Sequence, residues 1–168
     1  MTLGDGELEL REFQAGDEQT LLAILAEPEV QRWWPAPDYV VERGWVIELD
    51  GAAVGWLEYH EESYHWYPSV SFDIFLASRV HGRGLGRRAL QLGVDHFVAK
   101  GHHRFTLDPN ANNERAIRSY RALGFQPVGT MRAYERRPDG SWDDGLLMEL
   151  IVEEALQRDS LAGSERRT

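Results

Sequence analysis

The sequence predicts an α/β (α+β) chain, a mixed central sheet of about seven strands flanked by about four helices. Three observations carry this. Two short apolar runs, Gly44–Leu49 and Ala52–His60, meet at Asp50-Gly51, a dipeptide that favours a tight hairpin. The stretch Val70–Val98 runs from an apolar strand through a glycine-rich turn into a long helical pattern. After it, short strand patterns alternate with one more helical pattern, so hairpin strands come first and crossover helices follow, which calls for a sheet with both parallel and antiparallel pairs.

The elements follow in order. Glu7–Phe13 alternates polar and apolar residues with Leu8 and Leu10 on one face, a strand. Gly16-Asp17 opens a helix with Asp17 as N-cap and Leu21, Leu22 and Leu25 as its apolar stripe, and Pro28 ends it or forces a new turn. Val30–Trp34 reads as a short helix, followed by the rigid loop Pro35-Ala36-Pro37. Glu61–Pro68 is an aromatic, acidic loop. The helix after the glycines presents Leu85, Ala89, Leu92 and His96 on one face and Leu90, Val94 and Phe97 on the next, and Gly101 ends it. Arg104–Asp108 is a strand, and Pro109–Asn113 a loop capping a helix from about Glu114, with Ala116, Ile117, Tyr120 and Leu123 on one face and Gly124 as its stop. Gln126–Arg136 and Gly145–Val152 are strands around the turn Pro138-Asp139-Gly140. Residues 1–157 read as one domain and 158–168 as a frayed tail.

Composition sets bounds. At 168 residues and 42% apolar, the chain can bury a sizeable core. It has no cysteine, hence no disulfide framework or thiolate zinc site, and no metal is called for. No basic n-region precedes an apolar stretch at the N-terminus, and no run reaches the roughly 18 to 20 apolar residues of a membrane span. A cytoplasmic monomer or homodimer is expected. The net charge of −10 argues against nucleic acid and anionic membranes as partners.

Within this acidic chain one stretch is basic. His81-Gly82-Arg83-Gly84-Leu85-Gly86-Arg87, with Arg79 and Arg88 beside it, puts arginines around bare backbone amides at a helix start, a setting for a polyphosphate. It is neither a P-loop, since no Gly-Lys-Ser/Thr follows, nor a dinucleotide fingerprint, whose glycine spacing differs. The segment resembles motif A of the GCN5-related N-acetyltransferases, with His81 where Gln or Arg is usual and Gly84 and Gly86 in place. Asn113 to Phe125 is similar to the family's N-x-x-A-x-x-x-Y-x-x-x-G-F pattern. The resemblance implies that family's fold and acetyl-CoA as cofactor. The pyrophosphate would lie on the amides of Gly82 to Arg87, Leu85 included. The pantetheine arm would run along Phe75 and Leu76, near Asn113 and Ala116, and Tyr120 would give a proton to the leaving thiolate.

A narrower resemblance is to the aminoglycoside 6′-N-acetyltransferases. It rests on Trp33-Trp34, on Asp73 with Leu76-Ala77 after it, on Asp108-Pro109 with Asn113, and on Pro138-Asp139-Gly140. It implies Asp73 as base, Asp108 as a contact to the antibiotic, and a role in resistance. The span Pro35–Gly44 is shorter than in such enzymes, which implies a more open acceptor pocket. A carboxylate inside an apolar strand, as Asp73 is, calls independently for a pocket or a partner. A polycationic, hydroxyl-rich acceptor also suits the acidic and aromatic loops: Trp33, Trp34, Tyr59, Glu61, Trp66, Asp73, Asp108, Glu135 and Asp139 are the expected acceptor contacts, among neighbours that include Glu58, Glu62, Tyr64, Asp143 and Asp144. Acetylation of another amine (a polyamine, a lysine-like metabolite or a siderophore precursor) and a non-catalytic acyl-CoA-binding module are the alternatives.

Overall fold

A computed structural model describes residues 2–4, 7–34 and 43–153 of the chain. Among the described residues, eight strands form one sheet: β1 (Thr2–Gly4), β2 (Leu8–Arg11), β3 (Gly44–Leu49), β4 (Ala52–Glu62), β5 (Ser69–Leu76), β6 (Arg104–Leu107), β7 (Gln126–Arg136) and β8 (Trp142–Ile151). Their order across the sheet is β1-β2-β3-β4-β5-β6-β8-β7. Only β5 and β6 run parallel, and the other neighbours are antiparallel. Among the described residues, four α-helices accompany the sheet: α1 (Asp17–Leu25), α2 (Pro28–Gln31), α3 (Leu85–Ala99) and α4 (Glu114–Ala122). The α/β class and mixed sheet expected from the sequence are present, with one strand more than the seven anticipated. That extra strand is β1, whose three residues pair onto β2 but carry too short a pattern to be read.

Local chemistry explains most boundaries. Asp50 (φ 52°) and Gly51 (φ 79°) both take the left-handed conformation, as a tight hairpin turn between β3 and β4 needs. Pro28 stands at the first position of α2, where its missing N–H costs nothing. The Asn113 side chain accepts a hydrogen bond from the Ala116 amide (3.2 Å) and starts α4.

Helix α3 lies on one face of β4 and β5. Its Phe97 packs on Tyr59 and Phe72 with ring centroids 5.0 and 6.0 Å away, and Phe72 stacks on Phe105. Gly93 permits this closeness: a Cβ there would lie 3.1 Å from Leu57 and 3.2 Å from Phe72.

Several expectations are corrected. In α1 it is Leu21, Ile24 and Leu25 that are buried, and Leu22 faces solvent, because the helix axis is set by its packing on β4 rather than by the count of leucines. The short helix read at Val30–Trp34 lies earlier, at Pro28–Gln31. Strand β4 continues to Glu62 and β8 begins at Trp142, each extended by pairing with its neighbour. The loop at Pro35-Ala36-Pro37, the openness inferred from the short span after it, and the tail from 158 fall outside the described residues.

Asp17 is not the N-cap of α1. Gly16 holds that position, and Asp17 is buried within the first turn. Its carboxylate accepts hydrogen bonds from Arg11 Nη1 (2.7 Å), Arg11 Nη2 (2.8 Å) and the Gln14 amide (2.8 Å). Arg11 also holds Glu48 across β2 and β3. Hydrogen bonding to Arg11 keeps the Asp17 carboxyl below the usual carboxylate range. Such a group adds stability above the unfolded-state pKa and loses it as pH falls through the folded one. Asp17→Ala is expected to cost about 3 kcal/mol by leaving Arg11 with Glu48 alone, and Asp17→Asn to flatten the acid side of the stability curve; urea unfolding from neutral pH down to below the ordinary carboxylate range, under about pH 4, measures both.

Candidate functional site

The parallel pair β5–β6 is short. Val70 pairs with Phe105 and Ser71 with Thr106, after which the strands part. Beyond β6 the chain follows β8 instead: Ala111 N–H donates to the Asp144 carbonyl (2.8 Å) and Leu146 N–H to the Pro109 carbonyl (2.8 Å). From Asp73 to Leu76 the edge of β5 that faced β6 therefore opens onto a cleft of about 930 Å³. Helices α3 and α4 begin at the ends of the two parting strands, so both N-termini open on this cleft, the usual place for a ligand in such a sheet.

The anion end lies at α3. Gly82 (φ 76°) and Gly84 (φ 75°) take left-handed conformations that other residues adopt only under strain, and both have open space where a Cβ would stand. No side chain caps α3, a 15-residue helix, at its start. Bare amides, the positive end of the helix dipole and Arg87 at the cleft suit a phosphate group. Phe75, Leu76, His81, Gly82, Gly84, Leu85, Gly86, Arg87, Asn113 and Ala116 all line the cleft. Arg83 does not, and is exposed. The His81 ring donates from Nε2 to the Leu76 carbonyl (2.8 Å), tying the loop back to the strand end rather than reaching into the anion site.

Asp73, Asp108 and Tyr120 are brought together by the fold in the same cleft. Burial, then the charges of Asp108 and Glu58, push the Asp73 carboxyl up to about 7, with His60 opposing. Burial, reinforced by the charges of Asp73 and Asp108, holds the Tyr120 phenol far above its usual range, so it stays protonated and keeps a hydrogen to donate.

Of the expected acceptor contacts, Trp33, Trp34, Asp108 and Glu135 line the cleft along with Asp73. Trp34 also packs edge-on against Phe75, with centroids 5.3 Å apart, and forms part of the wall. Glu135 is already engaged: Asn110 Nδ2 donates to it (3.1 Å) and to Asp143 (2.8 Å), and Arg137 lies within 3.8 Å of both carboxylates. Four others are corrected. Strand alternation turns Tyr59 to the α3 face, against Trp45 and Phe97, and turns its neighbour Glu58 toward Asp73. Glu61 fastens β4 to the end of α3, accepting from Lys100 Nζ (2.8 Å) with His102 Nε2 2.8 Å away. Trp66 lies in the turn before β5, a strand's length from the cleft, and is 72% exposed. Asp139 closes the β7–β8 turn by accepting from Ser141.

Tyr134 was missed. Its hydroxyl donates to Asp108 Oδ2, and this bond, with burial second, pushes its phenol up to about 12. A bulge in β7 aims it: the register with β8 shifts between Met131 and Glu135, and Ala133 takes φ 50°, its amide donating to Asp144 Oδ1 (2.8 Å). Gly145 provides the room, since a Cβ there would stand 2.7 Å from the Tyr134 ring. A tyrosine in a charged strand carries no signal for this. The facing glycine was the only hint.

The GNAT acetyltransferase family model matches residues 7–125, well over half the chain. The chain belongs to that family. Enzymes of the family use acetyl-CoA. Spermidine N(1)-acetyltransferase of Escherichia coli K12 is 34% identical over 91 residues, 54% of this chain and 48% of the relative, so the match spans about half the length of that enzyme. Mycothiol acetyltransferase of Corynebacterium aurimucosum is 35% identical over 74 residues, 44% of this chain and 24% of the relative. The structure of Mycobacterium smegmatis RimJ in complex with a CoA disulfide superposes with a TM-score of 0.79 at 26% identity, covering 97% of this chain and 95% of that one.

Gly145→Ala tests how Tyr134 is held. Overpacking is expected to cost about 1–3 kcal/mol, and most of that cost should disappear in a Tyr134→Ala background, where the ring is gone. Urea unfolding of the four proteins in the cycle measures it.

Proposed function

We propose that this chain is an acetyl-CoA-dependent N-acetyltransferase whose acceptor is a primary amine of a small polycation, foremost the 6′-amine of an aminoglycoside, with Asp73 as base and Tyr120 as acid. The observation that carries the reading is the convergence of Asp73, Asp108 and Tyr120 where the β5 edge opens on the cleft.

The residues present suit acetyl-CoA. The amides of Gly82 to Arg87 would hold its pyrophosphate, with Arg87 at the cleft. The open edge at Phe75 and Leu76 would pair with its arm, and Asn113 and Ala116 would flank it. When bound, the cofactor supplies an activated acetyl thioester. An amine attacks only when neutral, so the acceptor ammonium must first lose a proton. Asp73 takes it, because its carboxylate lies in the cleft with a proton affinity near neutrality. Tyr120 keeps its proton at any working pH and serves as the donor at the leaving sulfur. Asp108, oriented by Tyr134, holds an acceptor ammonium, and Trp33 and Trp34 offer ring faces to a sugar or a cation.

One observation favours a second reading. The E. coli relative is named for spermidine, and a polyamine has the same charge pattern without the hydroxyls. Thiol release from acetyl-CoA, compared across kanamycin-type and neamine-type compounds, spermidine and lysine, separates the readings. Release with aminoglycosides bearing a 6′-amine supports the first, and release with polyamines alone overturns it. Acetyl-CoA binding without release for any amine points to a non-catalytic acyl-CoA module.

The base works as a carboxylate, so kcat/KM is expected to be full above pH about 7 and to fall as pH drops through it. Asp73→Asn should remove that limb and lower kcat roughly a hundredfold or more with acetyl-CoA affinity unchanged; wild-type turnover in the variant would dismiss Asp73 as base. Tyr120→Phe should lower kcat roughly tenfold or more while KM for the acceptor stays near that of the wild type, and unchanged steady-state kinetics would return Tyr120 to a packing role.

A further inference from the structure

Acetylation of an ammonium by a thioester yields an amide, a thiol and one proton. With Asp73 as base, that proton sits on Asp73 at the end of each turnover and must leave before the next. The titratable groups around Asp73 are Asp108 at the end of β6, Tyr120 on α4, Tyr134 on β7, and Glu58 and His60 on β4. Asp108, Tyr120 and Tyr134 line the cleft itself, where bound reactants cover them. Glu58 and His60 do not line it.

Their placement forms a row through the sheet. Glu58 stands directly opposite Asp73 in the β4–β5 pairing, and His60 follows two residues on, opposite Ser71, on the same face. Asp73, Glu58 and His60 each present a polar atom within 4.8 Å of the other two. His60 Nε2 is 3.1 Å from Glu58 Oε1. Exposure changes sharply along the row: the Glu58 side chain is 8% exposed and that of His60 is 57%. A buried carboxylate thus connects the base to a solvent-facing imidazole, the side chain suited to trading protons with water near neutral pH.

We propose that Glu58 and His60 are the proton exit of the catalytic site. The protonated Asp73 gives its proton to the Glu58 carboxylate. Glu58 gives one to Nε2 of a neutral His60, and the resulting imidazolium releases one from Nδ1 to water or buffer. Asp73 and Glu58 return to carboxylates, and the imidazole, left as its other tautomer, resets by exchange with solvent. Only protons move, one in and one out per turnover, and no further reactant is required. Glu58 and His60 are positioning and relay residues that act through Asp73 and need not touch the acceptor.

This proposal rests on Asp73 as base, and the two fail differently. The test compares wild type, His60→Ala and Glu58→Gln with the best acceptor, in dilute buffer and with added imidazole. His60→Ala is expected to lower kcat roughly tenfold in dilute buffer, leave KM for acetyl-CoA unchanged and enlarge the solvent deuterium isotope effect on kcat. Imidazole should restore most of the loss. Glu58→Gln should also lose turnover, and imidazole should not restore it, because the link between base and surface is cut. Wild-type kcat for His60→Ala in dilute buffer, or a loss that imidazole leaves untouched, overturns the relay. Should Glu58→Gln fail to fold, His60→Ala, at an exposed position, carries the test alone. If Asp73→Asn keeps full turnover, it is the assignment of the base that falls.

Discussion

The parting of β5 and β6 after two paired residues is the constraint on which the site depends. A parallel pair that stayed together would satisfy the Asp73–Leu76 edge with strand hydrogen bonds and leave no cleft. The pair separates because the chain after β6 finds its partner in β8, through the bonds at Pro109, Ala111 and the Asn110–Gly145 bridge. The chain after β6 stays with β8, its partner on the side away from β5, and so leaves an unpaired edge on β5, a cavity of some 930 Å³ and two helix starts facing it. The aromatic cluster of Phe97, Tyr59, Phe72 and Phe105 beneath that junction keeps α3, and with it the anion loop, fixed against the sheet.

The charges divide according to this geometry. Arginine and bare amides gather at the start of α3, while Asp73, Glu58 and Asp108 crowd together at the other end. Burial, reinforced by the neighbouring carboxylates of Asp108 and Glu58, raises the Asp73 proton affinity toward neutrality. Not every acidic residue near the cleft is available to a cationic acceptor. Glu135 and Asp143 are held by Asn110 and Arg137, and Arg137 reaches on to the Arg32 carbonyl (3.0 Å), so these groups brace the β7–β8 hairpin against the segment carrying Trp33 and Trp34.

Elements whose signal is local were legible in the sequence. The Asp50-Gly51 hairpin, the glycine loop into α3 and the Asn113 cap of α4 depend on backbone conformations that few residues adopt, so their residues announce them. Asp73 was legible for a related reason: a carboxylate in an apolar strand is costly unless something compensates. Residues judged by type alone fared worse. Glu61 and Trp66 have the acidic and aromatic character of acceptor contacts, but they sit at the wrong end of β5 or are held by Lys100 and His102.

By itself the sequence determined the α/β class, the anion loop and the family resemblance, because turn chemistry, alternation and motif spacing are properties of neighbours along the chain. Only the tertiary structure decided which side of β4 each residue faces, so that Glu58 and not Tyr59 meets Asp73. It alone decided that Tyr134 reaches Asp108, through a bulge at Ala133 and the space left by Gly145. It also decided that Asp17 serves Arg11 rather than capping a helix. The first two outcomes turn on the register between paired strands, where a shift of one residue would turn each side chain to the opposite face, and the third on how the start of α1 packs against the end of β2.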